Sequence, residues 1–326
     1  MHLGLRKEHM PFFKPGNVEE LQKKVSLKVA ELLDGIAPLG ECNLVHHVSQ
    51  QLPIFTLSEI LGIPEEDRQK LVSWMEFLEL AQYFTYEMIK EQNEGKTNSS
   101  PDPAMIEMFN NMVDEMFDYG RFILKEKRKN PSDDLLSAIA NAEIEGKELT
   151  DEFLDGSWLL IIFAGNDTTR NTISGGIKLL HENQKQKELL MHDAELLPNF
   201  IHETIRCVSP VIHMRRTSLQ ETEIRGQRIG PFEKISLWYG AANRDPDIFE
   251  NPNEFNILRE NADKHLAFGI GRHTCLGKPI ALMQLREFYS QFLTRFKDFE
   301  LNGEWKVAPN NFVHAIQEMP IKFTPE

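Results

Sequence analysis

Apolar residues at Val18, Leu21, Val25, Val29 and Leu32 recur at spacings of three and four, which predicts an amphipathic helix over Val18–Leu33. Gly35 and Pro38 are the expected stop. A second helix fits Val45–Leu61, ended by Gly62 and Pro64. A third begins near Pro64, with Glu65, Glu66 and Asp67 in the first turn, where the helix dipole favours acids. The polar stretch Glu91–Pro103 carries Gly95, Asn98, Ser99, Ser100 and Pro101 and predicts a loop. Ala104–Lys129 reads as a long amphipathic helix bearing Phe109, Phe117 and Phe122. Ser132 is the expected cap of a short helix reaching Ala142. Thr150 is the expected cap of the next, which runs to Leu180 and is longer than a usual globular helix.

After Pro210 the texture changes. Val211–Trp238 is rich in Thr, Ile, Arg and Gly in short alternations and predicts β-hairpins. Asn243–Lys264 is dense in Asn, Asp and Pro with little periodicity, an irregular meander. Pro279–Phe296 returns to helical spacing, and Phe299–Phe323 suggests short terminal strands. No linker divides the chain. The expected fold is mainly α with small β-sheets, a single domain over 1–326. Its helices are expected mostly within residues 1–207, and its strands and meander within residues 208–326.

Composition narrows the classes. The 326 residues are 41% hydrophobic and 26% charged, an ordinary globular balance long enough for a closed core. Asp plus Glu number 50 against 36 Lys plus Arg, and this net charge of −14 argues against a nucleic-acid binder. The three cysteines, Cys42, Cys207 and Cys275, are widely spaced, which argues against a disulfide framework and a Cys-rich zinc site. Met1–Phe13 has no apolar signal core, and the longest apolar run, Trp158–Ala164, is far too short to span a bilayer. The expected location is cytoplasmic, so the sequons at Asn98 and Asn166 read as chance matches.

The sharpest chemical feature is Phe268-Gly-Ile-Gly-Arg-His-Thr-Cys-Leu-Gly277, a cysteine in a glycine-rich loop before a helix expected to start near Leu276. Glycines let backbone turn tightly and approach a flat ligand. A helix N-terminus beside the sulfur favours thiolate, and amides around it set its electron-donating strength. Such a thiolate suits axial ligation of haem iron. Other readings remain at this point. Gly269-x-Gly271 begins a dinucleotide fingerprint, but Thr274 stands where its next glycine belongs. His273 and Cys275 are two zinc-type ligands without an evident further pair. A lone cysteine is more often a buried apolar residue.

The loop matches at every defined position the Phe-x-x-Gly-x-His/Arg-x-Cys-x-Gly signature of the cytochromes P450, and the sequence resembles that family. Cys275 is then the implied iron ligand, with Phe268, Gly269 and Gly277 lining haem b and His273 contacting a propionate. Ala164-Gly-Asn-Asp-Thr-Thr169 resembles the family's distal-helix motif. It implies that Ala164 and Gly165 let the haem approach, Thr168 hydrogen-bonds the dioxygen species and Asp167 relays protons. The flanking Leu159–Phe163 suggests a buried setting. Glu203-Thr-Ile-Arg206, alone an ordinary surface pair, resembles the family's buried Glu-x-x-Arg. Its implied third member is Arg259, and its role is to hold the cysteine loop. Arg216 resembles the propionate-binding arginine, with Arg215 as fallback, and His2 and Arg6 resemble the His-x-x-x-Arg of a propionate-binding helix.

The resemblance runs from residue 2 to the C-terminus. Family members carry early helices, sheet strands and a pocket roof ahead of it, so an N-terminally incomplete P450 fold is expected, most simply from a truncated gene model. The implied activity is haem-thiolate monooxygenation of a lipophilic small molecule. Electrons come from a separate ferredoxin or flavodoxin-type donor with its reductase. The rivals are a peroxide-driven haem-thiolate enzyme and a truncated non-catalytic fragment. Expected pocket walls are the segment Leu78–Tyr86 (whose Tyr83, Phe84 and Tyr86 read equally as core), Leu160–Thr168, Val211, Ile212 and Phe312.

Overall fold

The computed structural model describes residues 2–77, 90, 93, 103–144 and 146–324, with side chains throughout except at His2 and Leu3. The expected wall segment Leu78–Tyr86 and, apart from residues 93 and 103, the expected loop Glu91–Pro103 lie outside the described residues.

Among the described residues nine helices, with the stretch 68–77 as a tenth, carry most of the fold. The nine are α1 (His2–His9), α2 (Pro15–Ile36), α3 (Gln51–Leu61), α4 (Pro103–Lys129), α5 (Leu135–Ala140), α6 (Asp151–Glu182), α7 (Gln184–His192), α8 (Leu197–Val208) and α9 (Lys278–Arg295). Helix α6 is the axis, packed by α3, α4, α8 and α9. Its start is local chemistry: Thr150 Oγ1 accepts from the Phe153 amide at 3.4 Å, and Asp151 and Glu152 occupy the first turn.

Several boundaries differ from the sequence expectation. Helix α2 passes through Gly35 to Ile36, and the chain turns only at Gly40, whose φ of +67° is left-handed. Asp134, not Ser132, caps α5, accepting from the Ser137 amide at 2.7 Å, while the Ser132 hydroxyl donates to Asp134. A carboxylate is the stronger acceptor here, and Lys127 pairs with it as well. Val45–Ser49 forms a π turn rather than the first turn of α3.

The sheets are small and antiparallel. β1 (Glu41–Asn43) pairs with β11 (Pro320–Lys322), Cys42 opposite Ile321, and β11 pairs with β8 (Glu300–Leu301), so the C-terminus is stitched to the segment after α2. β2 (Glu143–Ile144) and β3 (Lys147–Glu148) form a short ribbon. β4 (His213–Thr217) pairs with β7 (Lys234–Trp238), from His213 opposite Trp238 to Thr217 opposite Lys234. β5 (Thr222–Ile224) and β6 (Gln227–Ile229) form a hairpin whose turn residues, Arg225 and Gly226, both have positive φ, the two-residue turn that matches strand twist. β9 (Lys306–Val307) pairs with β10 (Ile316–Glu318).

Two apolar clusters form the interior. One gathers Val29, Leu33, Phe200, Phe288, Phe292 and Ile321; the other gathers Trp74, Tyr119, Leu136, Ile139 and Trp158. Phe13 and Ile60 pack against both. Trp158 donates its indole N–H to the Met116 carbonyl at 3.0 Å, and a Cβ at Gly120 would collide with its ring.

Candidate active site around Cys275

The loop from Phe268 to Gly277 is built on two left-handed glycines, Gly269 at φ +67° and Gly271 at φ +74°. The Gly269 amide donates to the Leu266 carbonyl at 2.8 Å, and the Cys275 amide donates to the Phe268 carbonyl at 2.8 Å, closing the loop on itself. Helix α9 starts at Lys278, two residues later than expected, and the amides of Gly277 and Lys278 point at the sulfur. A Cβ at Gly277 would rest 3.9 Å from Cys275 Sγ, so the glycine keeps that flank of the sulfur clear.

The sequence alone leads one to expect that this helix N-terminus favours thiolate. The opposite shift wins. Cys275 is accessible to solvent, yet protein surrounds the sulfur on most sides, and that desolvation raises the thiol pKa. The two amides and the charges of Arg6 and Lys278 pull it back down without cancelling the rise. Arg6 reaches the loop from α1, its Nη2 donating to the Thr274 carbonyl at 2.9 Å. The side chain of His2 lies outside the described residues.

Glu203, Arg206 and Arg259 meet in the interior. Glu203 and Arg206 are fully buried and Arg259 is 7% exposed. The Glu203 carboxylate accepts from Arg206 Nε at 2.7 Å and Nη2 at 2.8 Å, from Arg259 Nε at 3.1 Å and from the Asn256 amide at 2.9 Å. Arg206 also donates to the carbonyls of Asn243, Pro252 and Glu254, and Arg259 to those of Glu250, Asn251 and Glu254. Asn243 links this cluster to the cysteine loop: its Oδ1 accepts from the Leu266 amide at 2.6 Å. Nothing in the spacing of the sequence singles out Asn243.

On α6, Asp167 and Thr168 face different surroundings. Asp167 is buried, 3.6 Å from Arg170 Nη2, and accepts from Asn166 Nδ2 at 3.3 Å. Burial raises its pKa, and the Arg170 charge opposes the rise. Thr168 is half-buried on the side of exposed Ala164, and its hydroxyl donates to the Ala164 carbonyl at a long 3.5 Å. The expected burial of the preceding run holds for Ile162 but not for Leu160, which is 67% exposed. Gly165 serves a purpose that the motif does not assign to it. A Cβ there would lie 2.9 Å from Leu57 Cδ1, so this glycine lets α3 approach α6. Arg170 and Asn171, which the motif does not mark, are buried too, and Asn171 Oδ1 accepts from the Ile316 amide at 2.8 Å.

Arg215 and Arg216 are both exposed on β4, and Arg216 Nη1 donates to the Arg215 carbonyl at 2.8 Å. His273 is exposed at the end of the turn before Cys275. Val211, Ile212 and Phe312 do come together, through a bridge between Val211 and Val313 and a bond from the Ile212 amide to the Phe312 carbonyl at 2.8 Å.

The sequence profile of the family Cytochrome P450 matches residues 96–323. The chain belongs to the cytochrome P450 family. It is 32% identical over 327 residues to the linalool 8-monooxygenase of Pseudomonas putida, covering all of this chain and 76% of that protein. It is 33% identical over 296 residues to the steroid C26-monooxygenase of Mycolicibacterium smegmatis, covering 90% of this chain and 70% of that one. The crystal structure of substrate-free CYP109E1 from Bacillus megaterium superposes with a TM-score of 0.85 at 30% identity, covering 100% of this chain and 82% of that one. The P450 fold and a haem-thiolate monooxygenase activity follow from this membership.

Haem is the cofactor of such an enzyme, and the donor set fits it. A single thiol carries two amide donors, its flank is kept open by Gly277, and the cation Arg6 stands at the same loop. Among the described residues, no helix is long and apolar enough to cross a membrane.

Proposed function

We propose that this P450 holds haem b through Cys275 and inserts one oxygen atom from O2 into a C–H bond of a lipophilic small molecule. The observation that carries the reading is the Cys275 sulfur, held against the amides of Gly277 and Lys278 in a loop braced by the Glu203 cluster. Haem supplies the redox chemistry, and the protein binds, orients and tunes it. Cys275 as thiolate would hold the iron and lend it electron density. Phe268, Gly269 and Ala164 line the haem, and Arg6, His273 and Arg216, with His2, serve its propionates.

In this reading the Asp167 carboxyl holds a proton more readily than an exposed aspartate, because burial disfavours its charge. The Thr168 hydroxyl, bonded only loosely to Ala164, turns to offer a hydrogen bond on the open side of the helix. The substrate class is supported by the apolar Leu160, Ile161, Val211, Ile212 and Phe312, and by relatives whose names specify linalool and steroids. The electron donor is a ferredoxin or flavodoxin-type protein with its own reductase, the location is the cytoplasm, and residues 1–326 act as one domain. The test is the spectrum of the dithionite-reduced protein under carbon monoxide. A strongly red-shifted Soret band, lost in Cys275→Ser, is expected; its absence from the wild type refutes the reading. Turnover with NADH and reductase, rather than with peroxide alone, tests the electron route.

A further inference from the structure

Beside the buried cluster, a second link joins α8 to the cysteine loop, and neither the signature nor the distal motif contains it. His202, the residue before Glu203 on α8, places Nδ1 3.4 Å from Nε2 of His265. His265 is 7% exposed, and its Nδ1 accepts from the Ala267 amide at 3.3 Å. Its ring lies 5.6 Å from the Phe268 ring, and the Phe268 carbonyl is the acceptor of the Cys275 amide.

These contacts fix where the protons are. An amide N–H can only donate, so His265 Nδ1 is unprotonated and its proton sits on Nε2. That N–H faces His202 Nδ1, which therefore accepts, and the His202 proton sits on its own Nε2. A charged imidazolium at either position would set two N–H groups against each other. The charged groups facing the pair are Lys278, Arg206 and Asp263. Burial, then the Lys278 charge, lowers the His202 pKa, and burial, the neighbouring His202 and Lys278 push His265 down to about 3, in both cases against the weaker pull of Asp263.

We infer that His202 and His265 are positioning residues: a neutral imidazole pair of fixed tautomers that clamps Phe268 to α8 and so sets how firmly the Cys275 sulfur is presented to the iron. This rests on Cys275 being the iron ligand. Groups that hold a ligand from behind in this way orient it and tune the metal it binds.

The tautomers are read by nitrogen-15 NMR of histidine-labelled, diamagnetic ferrous–carbon monoxide protein, with His265→Asn and His202→Asn as assignment controls. The potential and the haem loss rate are read in His202→Leu, which removes the acceptor, and in His202→Asn, whose amide oxygen stands near the Nδ1 position. Expected are a His265 protonated on Nε2, a shifted iron potential with haem loss roughly tenfold faster in His202→Leu, and near-wild-type values in His202→Asn. A His265 protonated on Nδ1 overturns the inference. So do equal shifts in both variants, which would mean ring packing alone, and no shift in either. If His202→Leu does not fold, the wild-type tautomer and the His202→Asn potential decide in the same sense. A red-shifted band that survives Cys275→Ser would instead overturn the ligand assignment and leave the tautomer result standing.

Discussion

Replacing Glu203 by glutamine removes one negative charge from between two buried guanidiniums while keeping the shape. Arg206 and Arg259 would each retain three carbonyl acceptors but share no counter-charge. Breaking a buried pair in this way costs about 3–5 kcal/mol, because the remaining charge stays desolvated. An exposed pair is worth about 0–1 kcal/mol, so the two possibilities are well separated. Against a native stability of about 5–15 kcal/mol the loss is large. Urea unfolding followed by far-ultraviolet circular dichroism measures it, with Glu20→Gln as control, since Glu20 and Lys23 pair in the open and the midpoint should not move. The cluster also reaches the cysteine loop through Asn243, so the purified Glu203→Gln protein should carry less haem. A loss below about 1 kcal/mol would mean that the carbonyl oxygens alone neutralise both guanidiniums, and the bracing argument would fail.

Other expectations concern packing, pH and turnover. At Gly176 a Cβ would stand 2.0 Å from the Tyr289 hydroxyl oxygen, which donates to the Thr172 and Ile173 carbonyls, so Gly176→Ala should cost about 1–3 kcal/mol in thermal or urea unfolding. Gly165→Ala meets only the end of Leu57 and should cost less; a loss as large as that of Gly176→Ala would mean that Leu57 cannot give way. His265 is held to about 3, against 6.5 ordinarily, so the unfolded chain binds the extra proton between those values. Its contribution to stability is therefore complete above the ordinary value and is lost as pH falls through that window. The wild-type urea midpoint should drop with acid, and His265→Asn should flatten some of the slope. Asp167→Asn and Thr168→Ala should each lower product formed per NADH consumed, with rates falling about 10²–10⁴-fold where proton delivery limits. Unchanged coupling in both would remove these residues from the proton path.

What the sequence conveys and what it withholds separate by the range of the interaction. Helix α6 is legible because its cap, first-turn acids and apolar spacing are local. The cap of α5 is less so, because Ser132 and Asp134 are both able caps and the Lys127 pairing that favours Asp134 has no spacing signature, close as it is along the chain. Asp167 and Thr168 look like a pair in the sequence, but one residue of helix turns them about 100° apart, one toward Arg170 and the other toward the open side. The state of Cys275 escapes the sequence for the same reason: the helix amides are visible there and the surrounding desolvation is not. Arg259 is found only through family resemblance, since no pattern joins it to Glu203 across 56 residues. His265 and His202 have no such guide, although 63 residues of chain fold back to place them in contact. The contacts that brace the cysteine loop are thus nearly all long-range, while the signature itself is short. A signature of this kind reports which atom meets the iron, and the distant partners decide how firmly that atom is held.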